Sequence, residues 1–234
     1  MWPYLISILL VDAVAISIAF YVRKVLTARP SFAQAGLELG WGWFDNIFET
    51  LFHENKIRYA YFLCSLFVFI LLCNWIGVLP FFSTVEIKYG GEMHPLLLTP
   101  TSSLSVTIPL ALMSSFFIHF WAFKTKGLVG WFKHFFNNPL KGMGKLAFAG
   151  IGIAIFVGTL ELVSEVVKIV SLSFRLYGNI MAGHAVIVQT ETMAKWLVPI
   201  PFLLLETLVG LIQAGVFVLL TAAFLAAMTT SEGH

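Results

Sequence analysis

The sequence predicts an all-α, polytopic membrane protein. About five transmembrane helices are expected, the last two long, steeply tilted and antiparallel, with an interfacial amphipathic helix between the first two. Three observations carry this. Of the 234 residues, 59% are hydrophobic and 11% charged, where a soluble domain carries about a quarter charged residues. Several apolar stretches exceed the ~20 residues that cross a hydrocarbon core. The basic residues cluster in alternate connecting segments, the asymmetry that orients helices in a bilayer. The chain reads as a single integral membrane domain, 1–234.

In chain order, the first helix is expected at 4–26. No Lys or Arg precedes its apolar run, and Arg23, Lys24 and Arg29 follow it. That is the reverse of a secretory signal, so the span is read as retained. Leu37 to Phe52 mixes Trp41, Trp43, Phe44, Ile47, Phe48 and Leu51 with Glu38, Asp45 and Glu49, which suits a helix lying in the headgroup plane. The second helix is expected at 57–82. It carries Cys64 and Cys73, about 13 Å apart along a helix and too distant for a disulfide. The third is expected at 104–123, followed by an interfacial segment from Gly130 to the Asn138-Pro139 break. A long apolar region runs from 147 to 190 and a last helix from 196 to 229. The first of these spans ~66 Å as a helix against ~30 Å of hydrocarbon, so it must tilt, bend or break near its glycines.

Basic residues give the orientation. Arg23, Lys24, Arg29, Lys56 and Arg58 occupy 23–58, and Lys124, Lys126, Lys133, Lys141 and Lys145 occupy 124–145. Residues 83–103 hold only Lys88, and the turn before the last helix only Lys195. The positive-inside rule puts the first two segments in the cytoplasm, the N-terminus outside and the C-terminus inside. No basic face with interleaved aromatics suggests nucleic acid. The six histidines, His53, His94, His119, His134, His184 and His234, show no metal-ligand spacing. No cofactor is expected, and the lipid bilayer is the one partner composition demands.

Charges inside apolar spans are the strongest functional signal, because each costs a few kcal/mol unless it faces protein or water. Glu161, Glu165, Lys168, Ser171, Arg175 and Asn179 recur at steps of three and four in the long region and share one helix face. On the last helix Glu206 and Gln213 share a face, and antiparallel packing brings Gln213 near Arg175. Arg175 cannot lose its charge, and its nearest acidic neighbour in sequence is ten residues away, so another chain is a natural source of its partner. His184 lies opposite Arg175 on an ideal wheel. Beside Glu206 it would form a relay titrating near neutrality. Asp12 reads as a vestibule group or a helix–helix hydrogen bond, and His119 as packing near an interface.

The string SLSFRLYGNIMAGH, Ser171 to His184, closely resembles the signature of subunit a of F-type ATP synthases. The last helix, LLLETLVGLIQAGVFVLLTAAFL, resembles that family's final helix. NWIGVLP (Asn74–Pro80) and TPTSSLSVT (Thr99–Thr107) extend the likeness. By resemblance, Arg175 matches the stator arginine facing a rotating c-ring, and Gln213 the glutamine beside it. Asn179, His184 and Glu206 match the outer half-channel; Glu161, with Glu165 and Ser171 nearby, matches the inner exit. His184 and Glu206 stand exchanged relative to many members, and Ser103 and Ser105 replace the commoner Asp and Asn of the third helix. The family implies proton translocation coupled to ATP synthesis, with no catalysis by this chain itself. It also implies c-ring and peripheral-stalk b subunits as partners, in a bacterial inner membrane or an energy-transducing organelle membrane. The rival reading is a self-contained transporter whose central Arg grips an anionic substrate; it expects repeats or broken helices, and the sequence has no repeat.

Overall fold

The computed structural model describes residues 2–25, 32–52, 56–78, 86–89, 92–95, 99–135, 147–193 and 199–229. They form six α-helices: α1 (Trp2–Val25), α2 (Phe32–Phe52), α3 (Lys56–Val78), α4 (Leu104–Phe135), α5 (Ala147–Met193) and α6 (Pro199–Thr229). Residue 26, residues 79–82, the Asn138-Pro139 break and residues 196–198 of the expected last helix lie outside the described residues. So do Arg29, Lys141, Lys145 and Lys195 of the basic pattern.

α1, α3, α4 and α6 contain apolar stretches long enough to cross a membrane: Tyr4–Arg23, Ile57–Val78, Leu104–Leu128 and Pro199–Thr229. The protein is thus a polytopic α-helical membrane protein. In α5 the polar face dilutes the hydropathy, and the helix is defined by its continuity rather than by composition. All 47 residues are helical, about 70 Å of rise. The expected alternative of a break at its glycines is not taken. A broken helix in lipid exposes peptide groups that find no water, and neither Gly152 nor Gly178 is crowded.

The third helix runs a little past the expected end at 123 and is interrupted by a kink at Gly127, whose φ of 71° and ψ of 174° belong to a region essentially reserved for glycine. Residues 130–135 lie on a second helical arm beyond that kink, separate from the span as expected. Ser103 caps the start of α4: its Oγ accepts from the Ser105 N–H at 3.3 Å, and its carbonyl accepts from Val106 and Thr107, satisfying groups a helix start leaves open. Pro199 opens α6, where a missing N–H costs nothing. A short antiparallel hairpin, β1 (Glu86–Tyr89) with β2 (Glu92–Pro95), pairs Ile87 with His94 between α3 and α4. The sequence reading did not foresee it.

α6 is the helix the others surround, contacting α2, α3, α4 and α5. Its contacts with α3 run antiparallel: Asn74 Nδ2 donates to the Gly210 carbonyl at 3.1 Å, and Trp75 Nε1 to that of Thr207 at 3.2 Å. Between apolar helices in lipid, close approach and interhelical hydrogen bonds hold the bundle, and Gly210 supplies the closeness. A Cβ there would sit 3.1 Å from the Asn74 Cβ. Thr101, in the 3-10 turn Pro100–Ser102, donates to Asn74 Oδ1 at 3.3 Å, and both side chains are fully buried. Phe48, Leu63, Ile70, Leu176, Phe217 and Leu225 fill the core around this joint. α1 is attached more lightly, through Val11 against Cys73 and Ile76. Cys64 and Cys73 are free thiols.

Candidate functional site

α5 and α6 lie antiparallel. Gly183 meets the Glu206 carboxylate, and Lys168 Nζ sits 4.5 Å from the centroid of the Phe224 ring. Between these two contacts the register puts Arg175 level with Gly215 and Val216, so Gln213 lies within about one helical turn of it. Arg175, Gln213 and Glu206 are therefore brought to one helix pair.

Arg175 is exposed and forms no ion pair or hydrogen bond with any described residue. Exposed Ser171, Gly178 and Ala182 follow its face of α5, and the space beside Gly178 is open. A permanent cation is thus presented outward on a smooth helix face, with no counter-charge among the described residues. Across the register, the Gln213 Nε2 is buried without a hydrogen-bond partner. A buried polar atom left so costs about 1–3 kcal/mol, a cost that a neighbouring group or water would remove.

Toward the far end of α5 the helices part around a cavity of about 170 Å³, lined by Asn179, Ala182, Gly183, Phe202, Glu206 and Val209 among others. Glu206 is half-buried against it, and its Oε2 is a second buried atom without a partner. Gly183 is required by sterics: a Cβ at that position would overlap the Glu206 carboxylate. His184 does not line the cavity. It is exposed and makes no ion pair with Glu206, so the residue against the acid is Gly183, and the expected His184–Glu206 contact is absent from this structure.

Toward the other end, Glu165 is paired. Its Oε1 accepts from Lys168 Nζ at 2.7 Å, and its Oε2 lies 3.6 Å from Nε2 of His119 on α4. Glu161 is half-buried one turn further along, and its carbonyl accepts from the Ser164 hydroxyl at 2.7 Å. His119, expected to be simple packing, instead bridges α4 to α5. No periodicity in α4 signals this, because the partner comes from a different helix.

These features define a class: an α-helical membrane protein whose two long antiparallel helices carry ionisable groups between otherwise apolar surfaces. The sequence matches the family model described as ATP synthase A chain over residues 4–226, and the chain belongs to that family. Among its relatives is an ATP synthase subunit a of Campylobacter curvus, 36% identical over 160 residues, which are 68% of this chain and 64% of that protein. One from Acidothermus cellulolyticus is 30% identical over 100% of this chain and 79% of the relative. One from Campylobacter jejuni subsp. doylei is 29% identical over 100% of this chain and 93% of the relative.

Proposed function

We propose that this chain is the stator of a proton channel in an F-type ATP synthase. It would carry protons through two offset half-channels at the surface of a rotating c-ring and so couple the gradient to ATP synthesis. The observation that carries the reading is Arg175: a guanidinium that cannot be neutralised, exposed on α5, with no counter-charge among the described residues. A charge at such a place in a membrane protein needs a partner, and a carboxylate on an adjacent ring of subunits supplies one. The family relationship and the relatives' shared name, ATP synthase subunit a, support the same reading.

The geometry supports the following steps. A proton from the outer side enters by water in the cavity at Asn179 and Glu206 and passes to a ring carboxylate, which as a neutral acid can turn into lipid. A protonated site arriving at Arg175 from the other direction meets a fixed positive charge that favours its anion and drives its proton off. Gln213, within a turn of Arg175, packs beside it and helps to hold the guanidinium in place. The released proton leaves past Ser171, Glu165 and Glu161 toward the cytoplasm. Because Arg175 stays charged, it also blocks direct leakage between the two paths. His184, exposed on the outer portion of α5, stands where it can exchange protons with the water outside that cavity. Each proton brings ~2.3 kcal/mol per 100 mV of membrane potential. The chain itself makes and breaks no covalent bonds beyond those to protons; it acts with the c-ring and with peripheral-stalk b subunits, in a bacterial inner membrane.

A self-contained transporter is disfavoured by the unbroken α5, since such folds build their sites from discontinuous helices. The test replaces Arg175 with Ala in the complete complex in membrane vesicles. Gradient-driven ATP synthesis should be abolished while the complex still assembles; synthesis that survives overturns the proposal.

A further inference from the structure

Glu165 is the centre of a three-membered group. Lys168 holds one carboxylate oxygen at 2.7 Å, and its own ammonium is seated over the Phe224 ring. The other oxygen faces His119 Nε2 across the α4–α5 contact at 3.6 Å. The imidazole is fixed from a third side by Trp131, whose ring meets it edge-on at 5.9 Å and is itself stacked on Phe123 at 4.7 Å. Its Nδ1 is buried and has no hydrogen-bond partner. Buried polar atoms without a partner also occur on Glu206 and Gln213, which the proposed proton path uses, and on Thr107 and Trp121, which it does not. His119 Nδ1 lies on the opposite side of Arg175 from the Glu206 cavity.

A structural Glu165–Lys168 pair needs no imidazole, and a packing imidazole needs no carboxylate. The arrangement suits a group that gains and loses one proton. In the neutral ring with Nε2–H toward Glu165, the Nδ1 lone pair is unshared and is the pair that can accept a proton. A proton accepted at Nδ1 gives an imidazolium with Glu165 as its counter-charge, and release of that proton to water restores the neutral ring. Imidazole is the side chain whose charge ordinarily changes near neutral pH. Other charged groups among the described residues near this level are engaged elsewhere. Arg58 of α3 and Lys124 of α4 lie over the Trp121 ring, at 5.3 and 4.8 Å from its centroid, and Phe224 is the α6 residue at this level.

We propose that His119, positioned by Glu165 and Lys168, is a proton-holding site on the inner exit route, a role that rests on the stator reading above. Glu165 is ten residues from Arg175, ~15 Å along the helix. The site therefore receives protons already released and carried inward by water. With His119 neutral the group's net charge is zero, and with His119 protonated it is +1. An acidic inner side thus fills the site and opposes the next release.

The experiment uses inverted vesicles carrying the complete complex, whose cytoplasmic face is the bathing solution. ATP-driven proton uptake, divided by the ATP hydrolysed, is followed as the bath runs from about pH 5.5 to 8.5. The wild-type profile should show an inflection that His119→Gln removes. A His119→Gln profile that superposes on wild type overturns the proposal. Should that variant not assemble, Glu165→Gln decides. Loss of the counter-charge should move the inflection, and an unmoved inflection overturns the proposal. Arg175→Ala separates the two claims. Vesicles of that variant that still pump defeat the stator reading and this proposal together. An inactive Arg175→Ala beside an unaltered His119→Gln profile removes only the role of His119.

Discussion

Two cations on one helix, Arg175 and Lys168, meet opposite surroundings. Lys168 is satisfied inside the chain, by a carboxylate at 2.7 Å and an aromatic face. Arg175, about two turns along, is exposed, with nothing described in this chain to neutralise it. A charge that serves the fold is paired within the fold, whereas one that serves a second polypeptide is left for that polypeptide. The pair therefore separates the helix into a closed stretch, its charges paired within the chain, and an open one, its charge unpaired among the described residues.

The largest expected contrast tests this directly. Arg175→Ala should stop synthesis yet change the unfolding free energy of the detergent-solubilised chain by less than about 0.5 kcal/mol, as for a surface substitution away from structural contacts. A large loss of stability would mean that Arg175 has an internal partner, and the comparison would collapse. At the other end of the open stretch, Gly183→Ala sets a methyl group into the Glu206 carboxylate. Overpacking of this kind costs about 1–3 kcal/mol, and moving the acid out of its cavity should lower proton uptake by about tenfold, one factor of ten per 1.4 kcal/mol. Uptake at the wild-type rate would show that the position of Glu206 does not matter to the path.

How much of this the sequence displayed depended on whether the signal was local. An arginine in an apolar run is visible at once, and so is the shared face of Glu161, Glu165 and Arg175, because both follow from helix periodicity. The antiparallel register that puts Gln213 near Arg175 was accessible from two helices joined by a short turn. The His119–Glu165 bridge was not, since it depends on how α4 docks against α5. The partner of Gly183 was hidden for the same reason: a glycine's role is defined by the atom it admits, here a carboxylate from another helix. The long helix at 147–190 was legible, but bilayer thickness alone left tilt, bend and break all open, so nothing local excluded a break. The cost of unsatisfied peptide groups in lipid argues against one.

In the closed stretch, Lys168→Met removes the closest partner of a largely buried carboxylate. It should destabilise the chain by about 1–2 kcal/mol, discounted from the larger cost of a fully buried pair because both side chains keep some solvent contact. Glu165→Gln together with Lys168→Met should recover most of that loss, because the orphaned charge is then gone as well. Additive losses in the double variant would mean that the two residues act independently, and the stretch could not be called paired.

The smallest effect concerns the support of the closed stretch rather than its charges. Gly127 has a φ of 71°, and a Cβ added there would meet nothing within 4 Å. Any cost of Gly127→Ala must therefore come from the backbone, about 1–2 kcal/mol for a non-glycine residue in this region. The kink it forms turns residues 128–135 so that Trp131 folds back on His119 and Phe123. Relaxing the kink should cost stability, loosen the ring against His119 and blunt the pH inflection, without altering the loss of synthesis in Arg175→Ala. The fluorescence of Trp131, isolated by replacing the other tryptophans, reports that movement. An unchanged emission alongside an unchanged inflection would mean that the far arm of α4 holds its place without the glycine.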